Sequence, residues 1–286
     1  RIKAMDSPKQ TIYSGNYFGV NIPIAEYKSP QILQKSLLTR IPLLQDFLDI
    51  ACMLKTDPNK LAWLAYHKEL SVVEHYTHFL IPKRKGGYRQ VSKPKPLLDS
   101  VQQQILSKIL NAAPIHPKAT AYRLNYSIYN NAEFHCSKKL VIRIDLKDFF
   151  TSIRFLKVLN VFKYFGYNHG VSTVLALLCT EASRELMVFD KKNYYISKGE
   201  RFLPQGACTS PYISNLSCFR LDVRLDNLSA KFKYEYSRYS DDLCFSTNTS
   251  PVKIGNFLRI VDEIIRGEGF QVNSQKTRIL RNSSRQ

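Results

Sequence analysis

The sequence contains no apolar run approaching the roughly 20 residues that a transmembrane helix requires. Residues 1–10 are basic and polar, without the apolar stretch of a signal peptide. No two of the six cysteines are spaced closely enough for a C-x₂₋₄-C metal knuckle, which argues against a zinc site of that kind. We therefore expect a soluble cytoplasmic protein whose cysteines are small apolar core residues.

Acidic residues are also scarce. The 286 residues include 23 Asp and Glu against 42 Lys and Arg, so the formal net charge is +19 at pH 7. Such an excess attracts polyanions, and nucleic acid is the leading candidate. A ribosomal, membrane-surface or heparin-type binder would show the same excess, so charge indicates a class of partner and no activity. Hydrophobic residues make up 44%, which argues against wholesale disorder.

The first part of the sequence is predicted to be mainly helical, with one hairpin. Residues 1–30 lack clear periodicity and are predicted to form an irregular arm. Apolar residues recur at three- and four-residue steps over residues 31–66, which predicts helices. Asp57-Pro58 has the cap and the first-turn proline of a helix start. Residues 75–95 form two strand-like runs around Gly86-Gly87, which predicts a hairpin.

The second part combines strands with helices, which predicts an α+β fold whose small antiparallel sheet has helices on one face. A buried strand is predicted over residues 139–145 and a hairpin over residues 234–246. The other predicted elements are helices over 97–110, 155–165, 171–182, 211–228 and 252–266, a β-ribbon over 186–202 and a final strand over 270–280.

Two adjacent carboxylates, Asp241 and Asp242, interrupt an apolar strand-like run. Asp is disfavoured in strands and neighbouring like charges repel, so packing rarely places such a pair there. An isolated pair would be interpreted as turn residues. Here a second predicted strand also ends in a carboxylate, Asp145. Carboxylates from two strands make an oxygen cage suited to Mg²⁺, and two ions about 3.5–4 Å apart can activate a 3′-hydroxyl and stabilise a leaving pyrophosphate.

Three segments resemble the motifs of reverse transcriptases, in the family's order. Residues 239–242, Tyr-Ser-Asp-Asp, resemble the Tyr-x-Asp-Asp box, and residues 145–150, Asp-Leu-Lys-Asp-Phe-Phe, resemble the first palm motif. Residues 203–211 contain Pro-Gln-Gly and resemble the segment that lies between those two motifs in the family. Three motifs in this order are far more specific than any one of them.

The resemblance implies a right-hand polymerase with fingers and a palm whose antiparallel sheet is backed by helices. The arm over residues 1–30 would precede fingers over residues 31–138, which include the basic hairpin. Residues 139–286 would form the palm, with the ribbon over residues 186–202 as an insertion that contacts RNA or a partner. The Val-Thr-Gly element and the helical thumb of the family do not follow the lysine motif before Gln286, so we expect the thumb to be largely absent from this chain.

The resemblance also implies an RNA-directed DNA polymerase that uses two Mg²⁺ ions, with Mn²⁺ as a substitute. Asp145, Asp241 and Asp242 match the catalytic, metal-binding carboxylates. Leu146 matches a residue that adds a backbone carbonyl to the metal cage. Asp148 matches a residue near the triphosphate of the bound nucleotide, and a role as a fourth metal ligand stays open.

Several further residues match nucleotide-binding positions. Phe150 matches the aromatic residue under the incoming sugar, which leaves no room for a 2′-hydroxyl. Core packing is the alternative for Phe150 and the preferred interpretation for its neighbour Phe149. Gln205 and Gly206 match a turn that packs against template and nucleotide, where glycine permits close backbone approach.

Basic residues complete the match. Arg89, with Lys83 or Lys85, matches the residues of the fingers that grip the triphosphate, and an Arg fork suits phosphate best. Arg84 and Lys85 could instead form a solvated turn or contact the template backbone. Lys276 matches a lysine that protonates the leaving pyrophosphate, with a solvated strand lysine as the alternative.

A further box narrows the resemblance to retron reverse transcriptases. Asn131, Ala132 and His135 fit the Asn-Ala-x-x-His box that precedes the first palm motif in retron enzymes, and we expect the box to bind RNA. Arg123-Leu124 stands where the family usually has Gly-Phe. The resemblance implies a structured non-coding RNA as template, its DNA product and deoxynucleotides as partners, priming from a 2′-hydroxyl, and effector proteins of anti-phage defence.

Two alternatives remain at this point. The first is another bacterial reverse transcriptase, of the group II intron, diversity-generating or abortive-infection type. The second is a catalytically silent RNA-binding scaffold with a polymerase fold, against which the presence of all three carboxylates argues.

Overall fold

The computed structural model describes residues 40–66, 70–83, 86–249 and 254–281. The predicted arm, the first part of the helical stretch over residues 31–66, and the predicted roles of Arg84 and Lys85 lie outside the described residues. Within these ranges, none of the helices is both long enough and apolar enough to span a bilayer.

The described chain alternates helices and antiparallel strands. The helices are α1 (Phe47–Met53), α2 (Pro58–Ala65), α3 (Pro96–Lys108), α4 (Ile128–Glu133), α5 (Phe149–Ser152), α6 (Phe155–Tyr164), α7 (His169–Cys179), α8 (Ser210–Ser217), α9 (Phe219–Lys231) and α10 (Ile254–Gly267), with a 3₁₀ turn at Leu110–Ala112. The strands are β1 (Leu70–Ser71), β2 (Tyr76–Pro82), β3 (Tyr88–Pro94), β4 (Leu140–Asp145), β5 (Glu181–Phe189), β6 (Lys192–Phe202), β7 (Glu235–Tyr239), β8 (Asp242–Thr247) and β9 (Arg278–Arg281).

The central sheet has the strand order β7-β8-β4-β9, and all its neighbours are antiparallel. Successive side chains of a strand point to opposite faces. On one face Tyr236 and Phe245 are fully buried, and the Phe245 ring centroid lies 5.3 Å from that of Phe257 in α10. The opposite face carries Ser237, Asp242 and other polar residues. The sheet is therefore backed by helices on one face, which confirms the predicted α+β architecture.

The hairpin β2–β3 is joined to the rest of the fold through buried polar contacts at its base. Gln102 of α3 is fully buried and donates hydrogen bonds to the Tyr76 hydroxyl (3.0 Å) and to the Leu178 carbonyl (2.8 Å). These bonds connect α3, β2 and α7. A separate three-stranded sheet, in the order β1-β6-β5, contains the long ribbon.

Several predicted elements are confirmed. Asp57 caps α2 by accepting hydrogen bonds from the amides of Asn59 (3.0 Å) and Lys60 (3.1 Å). The hairpin around Gly86-Gly87, the strand ending at Asp145 and the hairpin containing the carboxylate pair all form as predicted. In these cases a strong local signal in the sequence agrees with the contacts that the folded chain makes.

Other predictions are wrong in their boundaries. Residues 41–45 are not helical: Pro42 disfavours helical backbone at Ile41, and α1 begins only after its cap, Asp46. The helix predicted over residues 211–228 is two helices, separated at Cys218 (φ −94°, ψ 1°). The ribbon begins at Glu181 and not at residue 186.

The predicted final strand is also shorter than expected. The Asn273 carbonyl accepts hydrogen bonds from the amides of Lys276 (3.1 Å) and Thr277 (3.2 Å), which folds the segment into a turn before β9 begins. The cysteine prediction holds for Cys179 and Cys218, which are buried, and is wrong for Cys52 and Cys136, which are exposed.

Candidate active site

Three carboxylates meet at one edge of the central sheet. The last residue of β4, Asp145, pairs directly with the first residue of β8, Asp242. Ser240 and Asp241 form a two-residue turn between β7 and β8, and the positive φ of Ser240 (59°) is typical of a tight hairpin turn. The Leu146 amide donates to the Asp241 carbonyl (2.9 Å), which ties the turn to the end of β4.

Protein cations contact two of these carboxylates. Lys276 Nζ lies 3.0 Å from both Asp145 oxygens, and Asn273 Nδ2 donates to Oδ1 of Asp145 (3.0 Å). On β4, the Arg143 guanidinium lies 3.2 Å from Asp242. Sequence reasoning found Lys276 and missed Asn273 and Arg143, since nothing in their local pattern indicates which carboxylate they contact.

The third carboxylate, Asp241, has an altered acidity. Burial raises its pKa above the ordinary aspartate value, and the negative charges of Asp145 and Asp242 raise it further. This direction is expected where like charges share a partly buried site. The cluster therefore concentrates negative charge. A nearby cation stabilises the ionised form of these carboxylates.

The donor set fits a divalent cation. Carboxylate oxygens are the ligands that Mg²⁺ prefers, and protein cations already contact Asp145 and Asp242. Among the residues that the structure describes, no three His, Cys, Asp or Glu side chains are already arranged around a single ion position. Binding a metal there therefore requires the Lys276 ammonium to leave Asp145 and the carboxylates to converge.

A buried ion pair supports the carboxylate turn from below. Arg238 of β7 and Asp222 of α9 are both fully buried and form two hydrogen bonds, of 2.8 and 2.7 Å. Arg238 also donates to the Ser240 carbonyl (3.2 Å), and the Tyr236 hydroxyl donates to Asp222 (2.8 Å). The turn is thus fixed by a charge pair that sequence reasoning missed.

A cavity of about 470 Å³, which we call the Gln205 cavity, lies between the β2–β3 hairpin and the Gln205-Gly206 turn. Its lining includes the predicted residues Phe150, Gln205 and Gly206. The neighbouring Phe149 ring is buried and packs against Phe270 with a centroid separation of 5.8 Å. The structure therefore places Phe150 at the cavity and Phe149 in the core.

The other lining residues of the Gln205 cavity were not predicted, among them Tyr122 and Lys93. The Tyr122 hydroxyl lies 2.9 Å from Ser240 Oγ, and the Tyr122 ring centroid lies 6.5 Å from that of Phe150. Tyr122 therefore joins the cavity to the carboxylate turn. Lys93 of β3 supplies a positive charge to the lining. A lone aromatic residue and a strand lysine give no distinguishing sequence signal.

Gly206 lies against the hairpin. Its φ of +124° and its packing both require glycine, since an added Cβ would lie 2.7 Å from Val91 Cγ1 and 3.0 Å from the Ser92 carbonyl oxygen. The Ser92 amide donates to the Gln205 carbonyl (2.8 Å). The close backbone approach at Gly206 is therefore to β3, and the predicted packing of this turn against template and nucleotide stays a prediction.

The predicted gripping residues lie further out. Lys83 and Arg89 are exposed near the hairpin tip, and neither lines the Gln205 cavity. Asp148 is exposed and adopts left-handed backbone (φ 47°) directly before α5. Leu146 is buried, and its backbone forms an isolated antiparallel bridge with Val272.

The Asn131–His135 box is anchored to the open face of the central sheet. His135 contacts Ser246 Oγ through Nδ1 and Ser237 Oγ through Nε2, both at 2.7 Å. Ser237 Oγ also lies 2.7 Å from Asn131 Oδ1, which accepts from Thr120 Oγ1 at 2.8 Å as well. Burial lowers the pKa of His135 to about 4, so its ring is neutral near pH 7.

These side chains are therefore engaged within the protein. A second cavity, of about 510 Å³, lies between α4 and the sheet, and its lining includes Ala132, His135, Arg143 and Asp242. The box thus forms a wall beside the carboxylates, and its predicted contact with RNA stays a prediction.

Comparison with known families matches residues 81–285 to the family described as reverse transcriptase (RNA-dependent DNA polymerase). The retron Mx162 reverse transcriptase of Myxococcus xanthus is 40% identical over 239 residues, which cover 80% of this chain and 49% of that protein. The retron Ec86 reverse transcriptase of Escherichia coli is 30% identical over 241 residues, which cover 83% of this chain and 68% of that protein. The chain spans about half the length of the Mx162 relative.

Solved structures show a similar fold. Telomerase from Candida albicans, in complex with a fragment of telomeric RNA, aligns with a TM-score of 0.52 and 14% identity, over 80% of this chain and 45% of that chain. Apo telomerase from Candida tropicalis aligns with a TM-score of 0.50 and 15% identity, over 74% of this chain and 52% of that chain. At this identity the likeness concerns the fold alone, and it supports the arrangement of fingers and palm.

Proposed function

Because the chain belongs to the reverse transcriptase family and is of the retron type, we propose that it copies RNA into DNA by two-metal nucleotidyl transfer. Asp145, Asp241 and Asp242 meet at one sheet edge, and Tyr122 joins their turn to the Gln205 cavity; this arrangement carries the proposal. Strands position the carboxylates, a buried ion pair fixes their turn, and the adjoining cavity has room for a substrate.

The three carboxylates would hold the metal ions, with the Leu146 carbonyl as an additional donor. Two bound Mg²⁺ ions, or Mn²⁺ in their place, would lower the pKa of the attacking hydroxyl and neutralise charge on the leaving pyrophosphate. The protein's contribution is to bring the carboxylates to one partly buried sheet edge, from which they would converge on the ions once Lys276 leaves Asp145. Release of Lys276 from Asp145 would free its ammonium to donate a proton to the departing phosphate.

The Gln205 cavity would hold the incoming nucleotide. Phe150 would lie under the sugar and exclude a 2′-hydroxyl, while Gln205 and Gly206 would pack against the base pair. Lys93 lines this cavity, whereas Lys83 and Arg89 would reach the triphosphate only if the hairpin bends inward. Asp148, exposed before α5, would lie near the triphosphate.

The finer parts of the proposal concern the substrate and the biological setting. The template would be a structured non-coding RNA, primed from one of its own 2′-hydroxyls to give a branched RNA–DNA product. The net charge of +19 supports binding to such a polyanion. The Asn131–His135 wall beside the carboxylates would contact the RNA, and an effector protein of anti-phage defence would complete the system.

Primer extension on an RNA template with Mg²⁺ and deoxynucleotides tests the proposal. Asp241→Asn should lower the rate by at least about 10³-fold, because several kcal/mol of charge stabilisation is lost. Asp190→Asn, a change at the exposed turn of the ribbon, is the matched control and should retain full activity. Equal product from wild type and Asp241→Asn would favour the silent scaffold.

A further inference from the structure

Glu181, the first residue of β5, is a buried acid with no role in the chemistry above. The residue is 4% exposed, and it forms no salt bridge within the described part of the chain. Its Oε2 atom is fully buried and has no hydrogen-bond partner among the described residues. An unpaired carboxylate is costly to bury, so this position calls for an explanation.

The surroundings of Glu181 connect it to the hairpin. Burial raises the pKa of the Glu181 carboxyl group, and Ser92 of β3 and His78 of β2 both act to lower it. The Ser92 hydroxyl lies 3.0 Å from His78 Nδ1, and His78 Nε2 lies 2.8 Å from Glu74. The other charged or titratable groups near Glu181 are Tyr76 from β2 and Arg201 from β6, and the adjoining small cavity is also lined by His75 and Arg184.

Ser92 also contacts the turn that lines the Gln205 cavity. Its amide donates to the Gln205 carbonyl, and its carbonyl lies against Gly206. Glu181 pairs across the ribbon with Phe202, shortly before Gln205 in the chain. The turn is thus held on one side by β3 and on the other by the end of the ribbon. Ser92 belongs to β3 and Glu181 to the ribbon, so the two residues lie where these segments meet.

We propose that Ser92, Glu181 and His78 are positioning residues that hold the Gln205-Gly206 turn against the hairpin and so set the shape of the Gln205 cavity. None of the three touches the carboxylate cluster. Ser92 contacts the turn through its backbone, His78 contacts the Ser92 hydroxyl, and Glu181 pairs with Phe202 at the end of the ribbon. The inference rests on the proposed function only in taking this cavity as the nucleotide site.

Protonation should tune this contact. Burial raises the pKa of Glu181 from 4.5 to about 7, opposed by the Ser92 hydroxyl and by His78. An opened contact would expose Glu181 to water and return its pKa to the ordinary value. The contact between the turn and the hairpin is therefore most stable below about pH 4.5, and it loses stability as the pH rises to about 7. The hydrogen bond that His78 donates to Glu74 raises the pKa of His78, which acts in the same direction.

Amide hydrogen exchange over residues 88–94 tests the contact without requiring catalysis. Between pH 5.5 and 8.0, the wild type should lose about tenfold in protection beyond the intrinsic rate change. Glu181→Gln keeps the shape and is neutral at every pH, so its protection should vary much less. Glu185→Gln changes an exposed carboxylate on the same strand and should behave as wild type.

Steady-state extension with one deoxynucleotide varied tests the consequence. Ser92→Ala should raise the KM for that nucleotide by about fivefold, the effect of one lost hydrogen bond, with kcat within about twofold. The inference would be overturned if the amide exchange of residues 88–94 in both Glu181→Gln and Ser92→Ala were the same as in the wild type. A parallel fall of kcat and melting temperature with KM unchanged would also overturn it, since that indicates a merely structural role. A wild type that exchanges as expected but synthesises no DNA would instead count against the proposed function.

Discussion

The hairpin that carries the carboxylates and the hairpin that lines the Gln205 cavity are built in opposite ways. The β7–β8 hairpin carries the carboxylate turn and is almost wholly buried, with a charge pair beneath it. The β2–β3 hairpin is exposed along most of its length, and Phe79, Leu80 and Tyr88 present 49%, 67% and 67% of their surface. A site that must hold metal ligands within fractions of an ångström benefits from burial. A surface that must admit a long, charged substrate has to remain open.

The difference also concerns how each hairpin is fixed. The carboxylate turn is held by side chains directly below it, whereas the exposed hairpin is fixed at its base, through Ser92 and Tyr76. Its outer part is therefore the better candidate for movement on substrate binding. Three substitutions test this contrast.

The largest effect is expected at the buried ion pair. Arg238→Met leaves Asp222 buried without its partner and should lower the free energy of unfolding by about 3–5 kcal/mol. Urea denaturation measures this change. Arg266→Met breaks a surface pair with Asp262, in which the arginine side chain is 73% exposed, and should cost about 0–1 kcal/mol. Similar losses in the two variants would contradict a stabilising role for the buried pair beneath the carboxylate turn.

A smaller effect is expected where the exposed hairpin meets the turn. Gly206→Ala introduces a Cβ that clashes with Val91 and Ser92 at an unfavourable φ, and should cost about 1–3 kcal/mol in unfolding free energy. Gly199→Ala is the matched control, because Gly199 also has positive φ (+71°) but open space around it. Thermal unfolding of the two variants separates the backbone strain at positive φ, which both share, from the steric clash with β3, which only Gly206→Ala introduces. Equal destabilisation would show that the approach to β3 does not matter.

The smallest effect is expected at the carboxylate cluster itself. Lys276→Met removes the ammonium that contacts Asp145, so a divalent cation no longer has to displace it. Binding of Mn²⁺, followed by electron paramagnetic resonance, should tighten by about tenfold, the scale of one charge-assisted hydrogen bond. Lys191→Met at the ribbon turn provides the control. Weaker Mn²⁺ binding in Lys276→Met would mean that the lysine helps to build the metal site.

Local patterns predicted the elements that carry the site. Asp145 and the Asp241-Asp242 pair could be placed together because each ends or begins a strand, and a hairpin brings its strand ends into register. The Asp57 cap and the Gly86-Gly87 turn could be predicted from the sequence equally well. Failures occurred where a single residue changed the backbone, as at Pro42 and Cys218.

The partners of the polar side chains were not predictable in this way. Lys276 was recognised from its motif, yet its contact with Asp145 depends on how the turn after Asn273 folds back. Tyr122, Arg238 and Ser92 carry no motif, and their contacts lie many residues away in the chain. Two cysteines that composition assigned to the core, Cys52 and Cys136, are on the surface for the same reason.

By itself the sequence determined the class of partner, the order of helices and strands, and the three carboxylates with their family. These are encoded in composition, in periodicity and in short motifs. Only the tertiary structure decided which charges neutralise one another, why Gly206 must be glycine and where an unpaired acid is buried. Burial and pairing depend on contacts between segments distant in the chain, and a local pattern does not contain them.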